Sequence, residues 1–564
     1  MKIKRATVLP IVFVTLLGVV VALSASLPQG RRSIMPVTIV YAPAHAMTSE
    51  PPGARTGIGP EPATSDPAAQ SQASALAYSG ALLPAFAGDL NNLTQATRYD
   101  IVLQLNNDLH HADGIQTIRY TNRAATALHE VMLRLYPNTD YLGGQMHVFD
   151  VKVDGSSVTP LAFLRPGQAL TLTNSPPVTD TSVITVPLPQ PLQPGDVTTL
   201  ALAYTLTIQP RTSNGYLTYG WADRILALPD AYAMVPVYDA DGWHVDAAPS
   251  YGDIVYAEIS LYRVRITAPA ELVIVATGAC SRQLDSADQP VAPEKALHPR
   301  AVTDCQAGPV RDFAIQASAV FQVVSQTVST DAGPVAVSSY YMPEYQRGGQ
   351  RALEYASAAL LDYSRRFGPY PYKEMKVFPS ATTAGGIEYP MLAGVLDTLY
   401  GADPASLEFI VAHEVSHQWW YGMVGSDQIM EPWLDESLAQ YSTSLYIEGR
   451  YGRAVADAQR NERFTQRYQQ ELNTGHDAPV DQPTAAFDRS MYFTIIYGKG
   501  PLFYGAVRAA VGDAQFNTWL RTFFMRYRYR IAHRDDLLNL ADEMGIGLQV
   551  RMAFDQWMRR VYAH

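Results

Sequence analysis

The chain has 564 residues, of which 47% are hydrophobic and 17% charged, and its formal net charge at pH 7 is -11. This length provides for two or more domains, each with its own core. The negative charge and the absence of a Lys/Arg-rich run exclude nucleic acid as an expected partner.

The first thirty residues have the features of an export segment. Lys2, Lys4 and Arg5 precede Ala6–Ala25, which contains no charged residue. A basic start followed by an apolar stretch is typical of export, and the positive end stays in the cytoplasm. The stretch exceeds the core of about 7 to 15 residues of a cleaved signal and reaches the length of about 17 to 25 of a spanning helix. We therefore predict a signal peptide or, from its length, a membrane anchor over residues 1–30, with the body outside the cytoplasm.

Residues 31–97 are predicted to form a disordered stalk. From Thr48 onwards Pro, Ala, Ser and Gly dominate the sequence. Such a composition buries too little apolar surface to offset the entropy of ordering the chain.

Residues 98–325 alternate apolar and polar side chains in short runs separated by turn residues. Examples are Tyr99–Leu105, Gly114–Tyr120 and Val131–Tyr136. This alternation is typical of half-buried strands. It predicts an antiparallel β domain.

The chain has two cysteines, Cys280 and Cys305, separated by a Pro-containing loop. In an oxidising compartment the pair can close a disulfide across this loop, and two free buried thiols are the alternative. Neither cysteine has a metal-binding spacing.

The pattern becomes mainly helical after about Phe321. Gln350–Arg366 is predicted to be a helix and Lys376–Pro379 a short strand. The chain from Tyr451 to its last residue is mostly helical in pattern, with two amphipathic pieces at 521–530 and 553–562.

The sequence S-L-E-F-I-V-A-H-E-V-S-H contains an H-E-x-x-H motif formed by His413, Glu414 and His417. On a helix, residues four apart share one face, so both imidazoles can bind a single ion. Glu436 follows His417 after 18 residues, near the start of a second predicted helix at Trp433–Ile447. Two histidines and one carboxylate leave a fourth zinc position open for water, which is typical of hydrolytic sites. An apolar helix with two core histidines is the alternative for the H-E-x-x-H alone.

These motifs resemble the aminopeptidase N family of zinc metallopeptidases, the gluzincins that include the leukotriene hydrolase type. Besides H-E-x-x-H, the chain has W-L-D-E-S-L-A at 433–439 for the family's W-L-N-E-G. It also has G-G-I-E-Y at 385–389 for G-x-M-E-N, and Y-G-K-G at 497–500 for Y-x-K-G. The resemblance implies a saddle-like antiparallel β domain at 98–325, a mainly helical thermolysin-like catalytic domain at 326–450, and its helical continuation at 451–564.

The resemblance also implies the role of each site residue. His413, His417 and Glu436 are the expected ligands of one Zn²⁺ per chain, and the ion activates a water. Glu414 is the expected general base, which then hands the proton to the leaving amine. Tyr497 is expected to stabilise the oxyanion of the tetrahedral intermediate.

Glu388 is the expected contact for the free amino group of a peptide substrate. Gly385 and Gly386 permit close backbone approach, so that an extended peptide adds along this edge. Ile387 and Tyr389 depart from the family's Met and Asn. The family's second acidic contact, T-Q-x-E, has no counterpart in L-P-D-A-Y-A-M-V-P-V-Y-D-A-D-G-W.

The sequence thus predicts a zinc aminopeptidase that acts on peptides outside the cytoplasm, either anchored in the membrane through its N-terminal segment or secreted. A zinc endopeptidase with the same chemistry is the close alternative. A non-catalytic peptide-binding surface protein with zinc is the alternative from another class, and an epoxide hydrolase of the leukotriene type is a more distant one. Asp435, next to Glu436, is a candidate for supporting the metal ligand.

Overall fold

The computed structural model describes residues 76–165, 178–210, 216, 219–247, 249–285 and 299–562. The predicted export segment and most of the predicted stalk lie outside these ranges. Among the helices that the structure describes, none has the length and apolar character needed to cross a membrane.

Seventeen strands form the first part of the described chain. They are β1 (Thr97–Leu105), β2 (His111–Thr121), β3 (Leu128–Arg134), β4 (Gln145–Val153), β5 (Ser156–Ser157), β6 (Leu161–Arg165), β7 (Val178–Leu192), β8 (Val197–Thr207), β9 (Gly220–Ala222), β10 (Ile225–Pro229), β11 (Tyr238–Asp239), β12 (Gly242–Trp243), β13 (Ser260–Pro269), β14 (Val273–Ala276), β15 (Ala279–Leu284), β16 (Arg300–Val310) and β17 (Ala314–Ser318).

The largest sheet has the order β15-β16-β13-β1-β2-β8-β4-β5. Along β2 and β8, buried positions alternate with more exposed ones, because one face of the sheet covers the core and the other does not. The strands predicted from alternation are therefore confirmed. The sheet is mainly antiparallel, but β1 and β13 pair in parallel, which the local pattern did not predict.

Cys280 on β15 and Cys305 on β16 are direct cross-strand partners and form a disulfide. Of the two alternatives for the cysteines, the structure thus has the bonded one. The bond joins the edge strand to its neighbour, at the end of the sheet.

The second part of the chain contains seven strands and ten α-helices. The strands are β18 (Gln322–Thr330), β19 (Gly333–Tyr341), β20 (Glu374–Ser380), β21 (Gly386–Tyr389), β22 (Leu392–Leu396), β23 (Val424–Gly425) and β24 (Arg530–Ile531). The helices are α1 (Gln346–Arg366), α2 (Pro404–Ser416), α3 (Trp433–Tyr451), α4 (Arg453–Arg460), α5 (Arg467–Asn473), α6 (Arg489–Thr494), α7 (Gly500–Val511), α8 (Asp513–Tyr527), α9 (Arg534–Glu543) and α10 (Gly547–Phe554). Three π-helical segments lie among these helices. Asn461–Gln466 joins α4 to α5, Ile495–Lys499 joins α6 to α7, and Asp555–Arg559 follows α10.

A five-stranded sheet of order β18-β19-β20-β22-β21 supports the helices, and β21 is its edge strand. The helix predicted at Gln350–Arg366 and the strand predicted at Lys376–Pro379 are confirmed as α1 and β20. The amphipathic helix predicted at 521–530 ends at Tyr527, because Arg530 and Ile531 pair with β23 instead.

The predicted stalk is wrong for residues 76–97. This segment forms 3-10 turns at Ser79–Ala81 and Pro84–Asn92, and Leu82, Leu83 and Leu90 are buried. Leu83 donates its N–H to the carbonyl of Pro371 at 2.8 Å. The apolar side chains between the prolines and alanines are buried against the folded body, and this burial offsets the cost of ordering them.

Arg311 joins the β-rich part to the helical part. Its buried guanidinium donates hydrogen bonds to the carbonyls of Ala257, Tyr421, Met423 and Arg530, at 2.6 to 3.3 Å. Burial lowers the pKa of Arg311 to about 10. The guanidinium therefore stays charged at neutral pH. It is a shared hydrogen-bond donor for all four of these carbonyls.

Candidate active site

Helix α2 carries the H-E-x-x-H motif. The Asp403 side chain caps the helix by accepting the N–H of Ser406, and Pro404 begins its first turn. The helix is apolar and buried, and the Ala412 carbonyl at its end accepts a hydrogen bond from Tyr363 of α1. His413 lies on the last turn, and His417 follows immediately after the helix ends.

Three nitrogen and oxygen atoms converge between α2 and α3. Nε2 of His413 lies 3.2 Å from Nε2 of His417 and 3.2 Å from Oε2 of Glu436. Nε2 of His417 lies 3.4 Å from the same carboxylate oxygen. Ligands at about 2.0 to 2.1 Å from a tetrahedral zinc stand about 3.3 Å from one another, so this triangle fits the ion.

The surrounding hydrogen bonds orient these ligands. Nδ1 of His417 contacts the carbonyl of Trp420 at 3.0 Å, which leaves Nε2 free for a metal. Trp420 in turn donates its indole N–H to Ser442 of α3, and Ser416 donates to the His413 carbonyl. The helix–helix contact and the ligand geometry are therefore fixed by the same residues.

The charges of the site are strongly coupled. Burial alone would raise the pKa of Glu436, but hydrogen bonds from His413 and His417 outweigh it and hold the pKa well below its usual value. Burial also opposes the cationic form of His417, yet the charges of Glu388 and Glu436 raise its pKa well above the usual value. The cluster favours an ionised carboxylate with positive charge beside it, as a bound cation would provide.

Glu414 points into the cleft beside Gly386. A Cβ at Gly386 would lie 2.2 Å from Oε1 of Glu414, so the glycine leaves the space that the carboxylate occupies. Burial raises the pKa of Glu414 well above its ordinary value. One ligating atom each of Glu388, Glu414 and His417 lie within 4.8 Å of one another.

Tyr497 lies on the π-helical segment Ile495–Lys499, and its hydroxyl donates a short hydrogen bond to Oε1 of Glu436. Burial, followed by the charge of Glu436, raises the pKa of Tyr497 well above its ordinary value, so the phenol remains a donor. Lys499 of the same Y-G-K-G motif is buried and binds Asp477 and the carbonyls of Ala478 and Arg560. It secures the segment and does not face the metal ligands.

Glu388 lies on the edge strand β21 and accepts a hydrogen bond from the Gln428 amide at 2.9 Å. The same amide group donates to Asp435, whose other oxygen accepts the backbone N–H of Glu436 at 2.7 Å. Burial and the charge of Glu436 raise the pKa of Asp435 to about 7. Asp435 therefore supports both the metal ligand and Glu388.

Three site residues were missed by the sequence analysis: Tyr216, Asp253 and Gln428. The Tyr216 hydroxyl lies 3.3 Å from that of Tyr497, 3.4 Å from Asp253 and 3.5 Å from Glu436. Asp253 and Glu388 line one small cavity behind the cleft. Gln428 stands in the polar S-D-Q sequence of the spacer between the zinc helices, which was a usable signal, whereas Tyr216 and Asp253 belong to no motif.

The structure thus brings all eight predicted site residues to one cleft of about 320 Å³, with His417 directly beneath it.

Residues 352–557 match the Peptidase family M1 domain. Endoplasmic reticulum aminopeptidase 2 of Bos taurus is 26% identical over 229 residues, which is 38% of this chain and 24% of that protein. Aminopeptidase B of Homo sapiens is 26% identical over 218 residues, 34% of this chain and 32% of that protein.

Among solved structures, the M1 zinc metallopeptidase from Deinococcus radiodurans has a TM-score of 0.58 at 19% identity, and the match covers 82% of this chain and 94% of that one. The fold class predicted from the sequence is confirmed by this neighbour. The chain spans about a quarter to a third of the length of the two aminopeptidases. The domain match, these relatives and this neighbour support the predicted assignment to the aminopeptidase N-type gluzincins of peptidase family M1.

Replacing Gly386 with alanine is expected to impair this site without unfolding it. The added Cβ displaces the Glu414 carboxylate, so kcat/KM for an aminoacyl anilide should fall at least about tenfold while the zinc content stays the same. Gly88→Ala is the control, because Gly88 lies outside the cleft and a Cβ added there meets no atom within 4 Å. Equal kcat/KM for Gly386→Ala and the unmodified protein would contradict the assigned position of Glu414.

Proposed function

We propose that this protein is a zinc-dependent aminopeptidase. One observation carries the proposal: a buried triangle of candidate metal ligands stands next to a cleft that also holds the buried carboxylates of Glu388 and Glu414. A metal site with an adjacent general base serves hydrolysis, and a carboxylate at the end of a cleft suits a free amino terminus.

The names of the relatives support peptide substrates. Both relatives described above are aminopeptidases, and a variant of the D. radiodurans protein is described with a bound Tyr-Ser-Ala substrate. These properties are carried to the present chain as part of the proposal.

Zn²⁺ held by His413, His417 and Glu436 would polarise the scissile carbonyl and make water acidic enough to attack near neutral pH. Glu414 accepts the proton of the attacking water and delivers it to the leaving amine nitrogen. Tyr497 donates its phenolic hydrogen to the carbonyl oxygen as negative charge develops there. In the structure this hydrogen is held by Glu436, so the phenol is already aimed at the metal site.

Glu388 fixes the register of the substrate. The Gln428 amide occupies Oε1 of Glu388, which leaves Oε2 for the substrate ammonium. The outer edge of β21 has no strand partner among the described residues, so an extended peptide can pair with it. Asp253 does not line this cleft; it lies behind Glu388 in a separate small cavity, where it accepts a hydrogen bond from the Tyr216 hydroxyl.

The aminopeptidase proposal predicts the response to a blocked amino group. Alanine 4-nitroanilide should be hydrolysed, and its N-acetyl derivative at least about a hundredfold more slowly, because acetylation removes the charge that Glu388 binds. Glu414→Gln should lower kcat by about a hundredfold or more with zinc retained, whereas the exposed control Glu543→Gln should not change it. Equal hydrolysis of an acetylated peptide would favour the endopeptidase, and full activity of Glu414→Gln would favour the non-catalytic alternative.

We also propose that each chain holds a single zinc ion. Purified protein should contain about one zinc by mass spectrometry of the metal, chelation should abolish hydrolysis, and added zinc should restore it. His417→Gln should lower the zinc content at least about tenfold, while His476→Gln, at an exposed histidine, should not. Zinc retained in full by His417→Gln would refute this ligand set.

The location outside the cytoplasm is likewise a proposal. It is supported by the basic start, the uncharged Ala6–Ala25 segment and the Cys280–Cys305 disulfide, since such bonds persist in oxidising compartments. In fractionated cells, the protein should separate from a cytoplasmic marker and resist maleimide labelling until it is reduced. Co-fractionation with the marker, with both thiols labelled before reduction, would refute it.

A further inference from the structure

Arginines line the cleft at a distance from its carboxylates. Arg463, Arg467 and Arg489 border the same cavity as Glu388, Glu414 and Tyr497. Arg463 lies in the π-helical segment Asn461–Gln466, and Arg467 is the first residue of α5. The two are four residues apart and therefore share one face, where like charges repel. π-helical turns of this kind are frequent at functional sites.

Among the described residues, neither Arg463 nor Arg467 forms an ion pair with a carboxylate. Within the part of the chain that the structure describes, no carboxylate lies within ion-pairing distance of either guanidinium. Arg460, one turn earlier, instead pairs with Glu448 and Asp457. Burial lowers the pKa of Arg463, the charge of Glu462 opposes this shift, and the charge of Arg467 lowers the pKa further. Two adjacent guanidinium groups that no carboxylate pairs with directly favour an anionic ligand at this wall of the cleft.

Packing holds these side chains in the cleft. The Arg463 guanidinium lies over the ring of Phe409, 3.9 Å from its centroid. The Cδ atom of Arg467 lies 3.8 Å from the Cβ position of Gly498, directly beside Tyr497. Arg467 itself is exposed, so its guanidinium is free to meet a ligand that enters from solvent.

The arginines and Glu388 lie at opposite ends of the metal site. Phe409 and His413 lie four residues apart on α2, and His417 follows four residues later, directly after the helix ends. Arg463 contacts Phe409, the first of the three. The Glu388 and Glu414 carboxylates lie with His417 at the other end. The distance along the helix from Phe409 to His417 is about 12 Å, and an extended tripeptide is about 10 Å long.

The orientation of the edge strand β21 predicts the same direction for a bound peptide, from Glu388 towards the arginines. Gly385 lies against Ile410 and Gly386 against Glu414, so β21 runs alongside α2 towards Glu388. A peptide that pairs antiparallel to β21 with its ammonium at Glu388 therefore runs back towards Phe409 and the arginines. Its leaving-group end arrives where the unpartnered guanidinium groups are.

We propose that Arg463 and Arg467 form a carboxylate-binding subsite at the leaving-group end of the cleft, so that the favoured substrates are short peptides with a carboxylate there. Planar guanidinium groups bind carboxylates through paired, charge-assisted hydrogen bonds. The carboxylate is the C-terminal group of a di- or tripeptide or an acidic side chain close to it. This inference rests on the proposed aminopeptidase function and names the substrate class for the same cleft.

The test compares four substrates: Ala-Ala-Ala, its C-terminal amide, Ala-Ala-Asp amide and alanine 4-nitroanilide. The free acid should have a kcat/KM at least about tenfold above that of Ala-Ala-Ala amide. Arg467→Met and Arg463→Met should each remove most of this advantage and change hydrolysis of the amide and the anilide less than about twofold. Arg453→Met, at an exposed arginine away from the cleft, is the matched control for loss of charge and should change none of the four.

Ala-Ala-Asp amide separates the two carboxylate sources. If it matches the free acid and loses its advantage in Arg467→Met, the subsite accepts an acidic side chain, and if it matches the plain amide, the subsite is specific for the C-terminus. Equal kcat/KM for acid and amide in the unmodified protein would overturn the proposal. An equal loss of anilide hydrolysis in the arginine variants would do the same.

Binding provides a readout that does not require hydrolysis. In the Glu414→Gln protein, Ala-Ala-Ala should bind at least about tenfold more tightly than its amide by calorimetry, and Arg467→Met in that background should abolish the difference. A protein that hydrolyses none of the four substrates but shows this difference lacks the proposed activity and keeps the carboxylate subsite. Equal binding of acid and amide would refute the subsite, whatever the activity.

Discussion

The structure depends on the concentration of buried charge between α2 and α3. Asp253, Glu388, Glu414, Asp435 and Glu436 are each at most 6% exposed, and they share this region with His413 and His417. Burying so many carboxyl groups is unfavourable unless hydrogen bonds and a cation compensate for lost hydration. Several contacts hold these groups in one arrangement: Asp403 caps α2, Trp420 contacts His417 and Ser442, and the Gln428 amide donates to both Glu388 and Asp435. A divalent ion bound at the triangle would complete the compensation.

The β-rich part contributes directly to this arrangement. Tyr216 and Asp253 come from it, whereas the metal ligands and Tyr497 come from the helical part. The proposed amine-binding end of the cleft is thus built by both parts of the chain. On the opposite wall, the arginines come only from the helical part, so the two ends of the cleft have separate structural origins.

The sequence predicted that His413, His417 and Glu436 come together, because H-E-x-x-H combines a helical spacing with side chains that have few other reasons to be buried together. It predicted the antiparallel strands because, in a half-buried strand, the alternation of apolar and polar residues indicates which side chains face the core. It did not predict Tyr216, because this residue meets Glu436 and Tyr497 across 220 and 281 residues of chain, nor Asp253, which contacts Tyr216; no local pattern encodes such contacts. The arginines were missed for a related reason. The sequence around an arginine on an exposed helix face is the same as around one that lines a cleft, and only the tertiary fold decides which residues face it. The prediction of a disordered stalk was wrong for residues 76–97. It relied on the overall composition of the segment and overlooked its leucines, which are buried against the folded body.

The Arg311 contacts limit how this cleft can admit a substrate. Separating the β-rich part from the helical part would break hydrogen bonds to Tyr421, Met423 and Arg530 together, and would leave a guanidinium charge to be rehydrated. Gly425 packs so closely on this guanidinium that a Cβ there would lie 2.1 Å from its central carbon. A gaping motion of the two halves is therefore energetically unfavourable. In the proposed function, peptides therefore enter the cleft from its open side, and its fixed walls, not a closing movement, set the size limit for the substrate.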